Sequence, residues 1–273
     1  VARETARHFA RAIIMPNRLG TAPGCIVEES GKAVAVLPGP PRELRDMFEQ
    51  ELTKYLAKIS KVRIHSRFLR IFGVGESRVE TELLDLFHLG NPTLALYCGA
   101  GEVQARMSVQ LPHGEDPSPV FDPVEAEIRR RLGDAVYAVG RNMTMEEAVL
   151  ELLLKKHRTV TFAESCTGGK LTAQLIDCPG ASEVLHESHV TYSNEAKMRV
   201  LGVKKETLDA VGAVSPECAR EMAEGARNIS GADYAVSVTG IAGPDGGTPD
   251  KPVGTVFIAV AEEGRTTVHP FRF

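Results

Sequence analysis

The stretch Thr159-Val160-Thr161-Phe162-Ala163-Glu164-Ser165-Cys166-Thr167-Gly168-Gly169-Lys170 decides the fold of the C-terminal half of the chain. Its first part predicts a strand over Thr159–Ala163, and apolar residues at helical spacing further on predict a helix over Thr167–Ile176. A small polar cluster lies where the strand runs into the helix. A nucleophile at such a junction points off the edge of a sheet, and N–H groups at the helix start can hold a developing oxyanion.

Ser165 is the candidate nucleophile for acyl transfer at this junction. The alternative is that Ser165 or Thr167 only caps the helix while Gly168 and Gly169 allow close packing, and the short string alone favours that structural role. A P-loop is excluded, because the chain has Glu164 where that pattern requires glycine and lacks its Ser or Thr after the lysine.

A second polar group lies in Val190–Lys197. Tyr192 ends a predicted strand, and Asn194 starts a helix that carries Lys197 in its first turn. The positive end of a helix dipole disfavours a second positive charge, so the pKa of Lys197 should fall. A neutral Lys197 near Ser165 could act as general base, with Tyr192 orienting or relaying the proton. The alternative is a solvated lysine and an ordinary half-buried tyrosine.

A third signal is the glycine-rich segment that follows an apolar strand predicted over Asp233–Val238. Five glycines across residues 240–254 let backbone N–H groups converge on an anion or lie against a planar ring. A long connection without function is the alternative, although loops of this length in compact domains are more often functional. The candidate binding residues are Thr239, Gly240, Gly243, Gly246 and Gly247.

The composition excludes several classes of protein. A net charge of −4 provides no positive field for a polyanion, and the longest apolar run, Val253–Ala261, is too short to span a bilayer. Five widely spaced cysteines without a C-x-x-C pair predict neither disulfides nor zinc, and His186-Glu187-Ser188-His189 misses the H-E-x-x-H spacing. We therefore expect a soluble cytoplasmic protein with no metal, no cofactor and no membrane or nucleic-acid partner.

The order of predicted elements gives the fold class. Strands and helices alternate from Met143 onward, which predicts a layered α/β domain. The run from Arg63 to Val139 has a βαββαβ-like order typical of a small α+β domain, and the part before it is a partial α/β unit with an initial helix from Ala2. The expected fold is α/β, with domains at 1–60, 61–140 and 141–273. The chain opens on Val1 and stops at Phe273 inside strand-like residues such as Val268 and Phe271, which leads us to expect a fragment at both ends.

At these strings the chain resembles the CinA-like family, the competence/damage-inducible proteins. Four strings occur in the family order: Ala163–Gly169, Thr191–Lys197, Gly212–Ser215 and Gly240–Gly247. The resemblance implies that residues 141–273 form a nicotinamide mononucleotide (NMN) deamidase domain, with Ser165 as nucleophile and Tyr192 and Lys197 as partners. It also implies that residues 1–60 are the closing part of a molybdopterin-binding-like domain and that residues 61–140 form a KH-type domain.

The implied activity is that of an amidohydrolase in pyridine nucleotide salvage, which converts NMN to nicotinate mononucleotide and ammonia. N–H groups near Thr167 to Gly169 would stabilise the oxyanion, and the 240–247 loop would meet the phosphate. The expected partners are the nucleotide substrate and a second copy of the chain, since the family forms dimers or larger assemblies. The alternative is a non-catalytic nucleotide-binding protein associated with DNA uptake or repair. Ammonia release from NMN separates the two.

Two other family properties are not expected here. Some members have an ADP-ribose pyrophosphatase activity with a glycine-rich G-G-x-G-P-T-x-D-D string, which is absent from this chain. Gly73-Val74-Gly75 lacks the two variable residues between glycines that clamp a nucleic-acid backbone in KH domains. We therefore predict a structural role for the middle segment.

Overall fold

A computed structural model of the chain describes residues 12–99 and 101–273. The helix predicted from Ala2 therefore lies mostly outside the described residues. The described chain forms three β-sheets with helices, which confirms a mixed α/β fold. It divides into two compact units, residues 12–69 with 73–135 and residues 70–72 with 136–273. No helix among these residues is both long and apolar enough to cross a membrane.

The first unit begins with a three-stranded antiparallel sheet and a helix. The strands are β1 (Ile13–Met15), β2 (Gly24–Glu29) and β3 (Lys32–Val36), in the order β1-β2-β3. The chain then continues as a helix that starts at Pro41, because proline fits the first helical turn. This helix consists of α1 (Pro41–Met47), a π-helical turn (Phe48–Leu52) and α2 (Thr53–Ile59).

A second sheet has four strands in the order β5-β6-β4-β7. The elements follow the predicted βαββαβ order: β4 (Val62–Phe72), α3 (Glu76–Glu82), β5 (Thr93–Gly99), β6 (Glu102–Pro112), α4 (Ser118–Leu132) and β7 (Val136–Val139). Helix α3 is short. Its α-helical part ends at Glu82, and the chain continues as a 3-10 helix over Leu84–His88.

The second unit is a five-stranded sheet covered by helices. Its elements are α5 (Met145–Lys156), β8 (Val160–Glu164), α6 (Lys170–Ile176), β9 (His189–Val190), α7 (Asn194–Leu201), α8 (Lys205–Val211), α9 (Pro216–Ser230), β10 (Tyr234–Gly240), β11 (Thr255–Glu262) and β12 (Arg265–Arg272). The strand order is β12-β11-β10-β8-β9. Strand β8 pairs parallel with β9 and β10, whereas β11 pairs antiparallel with β10 and β12.

The two faces of this sheet carry different helices, as the layered prediction requires. Leu150 and Leu153 of α5 and Leu175 of α6 pack with Val160 and Phe162 of β8. The opposite layer contains residues of α7 and the five buried residues of α9, which are Cys218, Ala219, Met222, Ala223 and Ala226. Parallel strands β8 and β10 end at the same edge of the sheet, which is where ligands bind in open α/β sheets.

Helices α7 and α9 approach each other closely at Gly225. A Cβ atom added to this glycine would lie 1.8 Å from the carbonyl oxygen of Leu201, the last residue of α7. No side chain fits into that space, so glycine permits the contact. The position of α7 against the sheet therefore depends on a residue in a different helix.

Candidate active site

Ser165 directly follows the last residue of β8. Its N–H donates to the carbonyl of Val238 on β10 at 3.0 Å, and only 8% of the residue is exposed. Gly168 and Gly169 then adopt φ angles of +62° and +99°, which residues other than glycine rarely adopt. These two glycines delay the helix, which begins at Lys170 instead of the predicted Thr167. The result is a compact turn that presents Ser165 at the sheet edge.

Lys197 lies against Ser165. Only 1% of Lys197 is exposed, and its Nζ atom lies 2.9 Å from Ser165 Oγ. Nζ also donates to the carbonyl oxygens of Thr191 at 2.7 Å and Tyr192 at 3.4 Å. Ser193 caps α7 by accepting from the N–H of Ala196, which fixes the start of this helix. The structure thus brings together the two side chains that the sequence predicted as nucleophile and base.

The environment of Lys197 is unusual for a buried lysine, because none of the described contacts of its Nζ atom is with a carboxylate. Burial lowers the pKa of Lys197, since a desolvated ammonium is unfavourable. Two nearby thiols supply no counter-charge, because burial raises the pKa of Cys166 and raises that of Cys218 to about 11. This environment favours a neutral amine next to the Ser165 hydroxyl.

Tyr192 has a different place from the one predicted. Its carbonyl contacts Lys197, but the residue is 78% exposed and its hydroxyl has no hydrogen bond within the described chain. The reason is that Tyr192 follows a two-residue edge strand, where its ring extends into solvent. The backbone of Tyr192 orients Lys197, and the predicted role of its phenol is not supported in this arrangement.

Glu164 is a site residue that the sequence reading missed. Its carboxylate is fully buried and accepts from the N–H groups of Gly169, Leu171 and Thr172 at 3.0, 3.1 and 2.8 Å, and from the Thr172 hydroxyl at 2.6 Å. Burial opposes its ionisation, but these hydrogen bonds outweigh burial and keep the pKa of Glu164 below its ordinary value. The available signal was an acidic residue inside a fully buried strand.

The backbone donors of the turn differ from those predicted. Gly169 donates to Glu164, and Gly168 donates to the carbonyl of Ser165 at 3.1 Å, so neither N–H is free for an oxyanion. The prediction is therefore wrong for these two glycines. The N–H groups of Cys166 and Thr167 donate to no carbonyl or carboxylate oxygen of the described chain. They lie directly after Ser165, the candidate nucleophile, which is a usual place for oxyanion donors.

The predicted residues of the glycine-rich segment serve its fold. Thr239 is 1% exposed, and its hydroxyl donates to the carbonyl of Ala213 at 2.8 Å, so the side chain is committed to a structural bond. Gly243 and Gly246 have φ angles of +79° and +92° and shape the loop after β10. Lys251 Nζ donates to the carbonyl of Val211 at 2.6 Å and fastens this loop to the end of α8. A substrate contact by Gly240, Gly243, Gly246 or Gly247 stays a prediction.

A cavity of about 730 Å³ opens beside the turn. Its lining includes Cys166 and Thr167 together with apolar side chains such as Val236, Val238 and Ile258. Of the predicted binding residues, Thr167 lines this cavity, whereas the predicted glycines and Thr239 are not among its described lining residues. The cavity therefore places apolar surface next to the two N–H groups that remain undonated. Within the described residues, no cluster of three or more His, Cys, Asp or Glu side chains could hold a metal ion.

Comparison with known proteins assigns the family. Residues 142–273 match the CinA C-terminal domain, and residues 66–138 match the damage-inducible protein CinA KH domain. A protein of Clostridium novyi (strain NT) named competence-damage inducible is 51% identical over 255 residues. The chain belongs to the CinA family. Ser165 and Lys197 both lie within its CinA C-terminal domain.

Further CinA relatives have similar identities. The chain is 49% identical over 263 residues to a competence-damage inducible protein of Clostridium perfringens (strain ATCC 13124) and 45% identical over 258 residues to a CinA-like protein of Kosmotoga olearia. These two alignments cover 96% and 94% of this chain, and the Clostridium novyi alignment covers 93%. The chain spans 61–64% of the length of these three relatives.

Two solved structures of CinA proteins match about half of the chain. The competence/damage inducible protein CihA of Agrobacterium tumefaciens is 43% identical, and the match covers 47% of this chain and 78% of that chain with a TM-score of 0.46. A CinA superfamily protein of Escherichia coli is 35% identical, with coverages of 48% and 77% and a TM-score of 0.46.

Proposed function

We propose that the CinA C-terminal domain of this chain is an amidohydrolase that converts NMN to nicotinate mononucleotide and ammonia. The observation that carries the proposal is the contact between Lys197 Nζ and Ser165 Oγ at 2.9 Å, inside a buried environment. The family resemblance of the motifs supplies the substrate. The chemistry of the pair supports acyl transfer, because a hydroxyl beside a desolvated amine is an activated nucleophile.

The contacts of Lys197 fit the neutral form of its amine. A neutral amine has two N–H bonds and one lone pair, and the carbonyls of Thr191 and Tyr192 accept from two N–H bonds. In this neutral form the lone pair faces Ser165 Oγ at 2.9 Å, so that the Ser165 hydroxyl can donate to it. An ammonium would instead direct its third N–H at Ser165 Oγ and could not take the proton. Lys197 therefore acts as the base only after it has lost its own proton.

The reaction proceeds in two acyl-transfer steps. The Ser165 hydroxyl gives its proton to Lys197 while its oxygen bonds to the carboxamide carbon, and the N–H groups of Cys166 and Thr167 hold the oxyanion. The C–N bond then breaks, and Lys197 returns the proton to the leaving ammonia. Water attacks the resulting ester with Lys197 again as base, which frees the nicotinate carboxylate and restores the Ser165 hydroxyl. The apolar cavity next to the turn suits the pyridine ring.

Cys166 is the neighbouring residue that could be mistaken for the nucleophile. Burial raises the pKa of its thiol, which disfavours the reactive thiolate. The described contacts of Lys197 Nζ include the Ser165 hydroxyl and no bond to the sulfur of Cys166. Ser165 is therefore the side chain that the base can deprotonate.

The test is ammonia release from NMN by the purified chain, with Ser165→Ala as the negative control. We expect one ammonia for each nicotinate mononucleotide, measured by a coupled ammonia assay and by mass spectrometry. NMN binding is measured in parallel by calorimetry. Binding without ammonia release would contradict the proposal and favour a non-catalytic nucleotide-binding protein.

A further inference from the structure

Most backbone N–H groups in the turn after Glu164 and at the start of α6 donate hydrogen bonds within the protein. Nine consecutive N–H groups, from residue 165 to residue 173, enter the turn and the first part of α6. Seven of them are donated, three to the Glu164 carboxylate and four to the carbonyls of Ser165, Thr167, Gly169 and Val238. The two that remain are those of Cys166 and Thr167, directly after the nucleophile. Both residues are half-buried and line the cavity beside the turn.

We propose that Glu164 is a positioning residue for the oxyanion hole of Ser165, an inference that rests on Ser165 as the nucleophile of the proposed function. The carboxylate accepts from the N–H groups on the far side of the turn and so fixes the peptide planes of Cys166 and Thr167. A carboxylate provides only acceptors, whereas a glutamine in its place would turn an NH₂ group toward N–H donors. The turn would have to rearrange to relieve this conflict.

The same bonds explain why the start of α6 is closed to a substrate anion. The carboxylate of Glu164, one residue before Ser165, already accepts hydrogen bonds from the N–H groups at this helix start. Among the backbone N–H groups of residues 165–173, only those of Cys166 and Thr167 are left without an oxygen acceptor. Glu164 thereby reserves the positive potential of the turn for the oxyanion of the reaction.

The experiment compares Glu164→Gln with Asp233→Asn as a matched control. Asp233 accepts from the N–H and hydroxyl of Thr159 at 2.9 and 3.0 Å, so it is a structural carboxylate at the opposite end of β8. The activity-independent probe is a fluorophosphonate, whose phosphonyl oxygen occupies an oxyanion hole. The Ser165 oxygen bonds to phosphorus, the P–F bond breaks, fluoride leaves and Lys197 takes the hydroxyl proton. Labelling rate, kcat and KM for NMN, and Tm are measured for each protein.

We expect Glu164→Gln to lower the labelling rate and kcat about 100-fold, the loss typical of one oxyanion donor, with KM changed much less. Asp233→Asn should lower Tm and keep both rates. Thr172→Val removes one of the four bonds to Glu164 and should show a smaller loss in the same direction, which serves if the glutamine variant does not fold.

Three outcomes separate the claims. Labelling of Glu164→Gln at the wild-type rate would overturn the role of Glu164, as would an equal loss of rate in Asp233→Asn. If wild-type Ser165 is labelled but NMN releases no ammonia, the proposed substrate is wrong, and the labelling rates still decide the role of Glu164. If Ser165 is not labelled at all, the nucleophile is wrong and the inference fails with it.

Discussion

Arg131 in the first unit and Lys197 in the second are basic residues in opposite environments. Arg131 hydrogen-bonds to the carboxylates of Asp85 and Glu127, and the Asp85 side chain is 64% exposed. Lys197 is 1% exposed and meets only a hydroxyl and two carbonyls. The hydrogen bonds that Arg131 donates to Asp85 raise the pKa of Arg131, whereas burial lowers the pKa of Lys197.

The difference separates a structural charge from a functional one. Pairs at a surface are solvated and contribute little individually, so the Arg131 group needs no explanation beyond local order. Burying an amine without a counter-charge is unfavourable, and a fold retains such a group where its altered proton affinity is used. The two regions therefore predict different responses to mutation and to pH.

The largest expected effect comes from Ser165→Ala, because it removes the proposed nucleophilic oxygen next to Lys197 Nζ. We expect ammonia release from NMN to fall at least about 1000-fold, a usual result for loss of a nucleophile. Cys166→Ala is the control and should keep most of the activity. Both variants should melt within a few degrees of the wild type. The opposite ranking of the two variants would identify the thiol as the nucleophile.

The second effect is that of Lys197→Arg, which keeps a cation but removes the base. An arginine stays protonated throughout the accessible pH range, so we expect a loss of at least about 100-fold. Wild-type activity should rise with pH as Lys197 loses its proton, and this rise should be absent in the variant. Retention of most of the turnover by Lys197→Arg would exclude Lys197 as the base. The measurement is a pH profile of kcat/KM.

A third effect concerns stability. The lowered pKa of Lys197 means that the unfolded chain binds a proton more readily, so the free energy of unfolding should rise with pH until the ordinary value of 10.5. Relative to Lys197→Met, the wild type should therefore gain stability from pH 7 to 10, measured by urea unfolding. Lys205→Met is the control, because its bond to Asp209 raises the pKa of Lys205 above 10.5, so that its contribution to stability stays constant from pH 7 to 10. Parallel curves for wild type and Lys197→Met would show that Lys197 is not destabilised as a cation.

The smallest effect is expected for Arg131→Ala, which should leave ammonia release unchanged. Arg131 helps to lower the pKa values of Asp85 and Glu127, each to about 2. Stability from lowered carboxylate pKa values is present above the ordinary values and is lost as pH falls toward 2. The difference in unfolding free energy between wild type and variant should therefore be small at pH 7 and vanish near pH 2. A difference that persists at low pH would indicate packing and not charge.

The sequence predicted the strand, turn and helix around Ser165 because apolar periodicity and two glycines mark them clearly. It also predicted Lys197 as the partner, from its place in the first turn of a helix, where its pKa should fall, and from the family resemblance. It could not identify the oxyanion donors. Those depend on the positive φ angles of Gly168 and Gly169 and on the direction of the Glu164 side chain, which no local pattern specifies.

Tyr192 and Thr239 show a second limit of sequence reading. Both are polar residues beside the site, yet one ring extends into solvent and one hydroxyl bonds to Ala213. Which way such a side chain points depends on neighbours distant in sequence. Composition and motif order therefore identify the chemistry of a site more reliably than the individual contacts within it.

The absence of a side chain at Gly225 helps to set the position of Lys197 in the candidate active site. Leu201, whose carbonyl rests against this glycine, lies one helical turn beyond Lys197 on α7. An alanine at 225 would push α7 along its own axis, and the amine of Lys197 would move with it relative to Ser165. The position of Lys197 relative to Ser165 therefore depends on the absence of a side chain at residue 225 of α9.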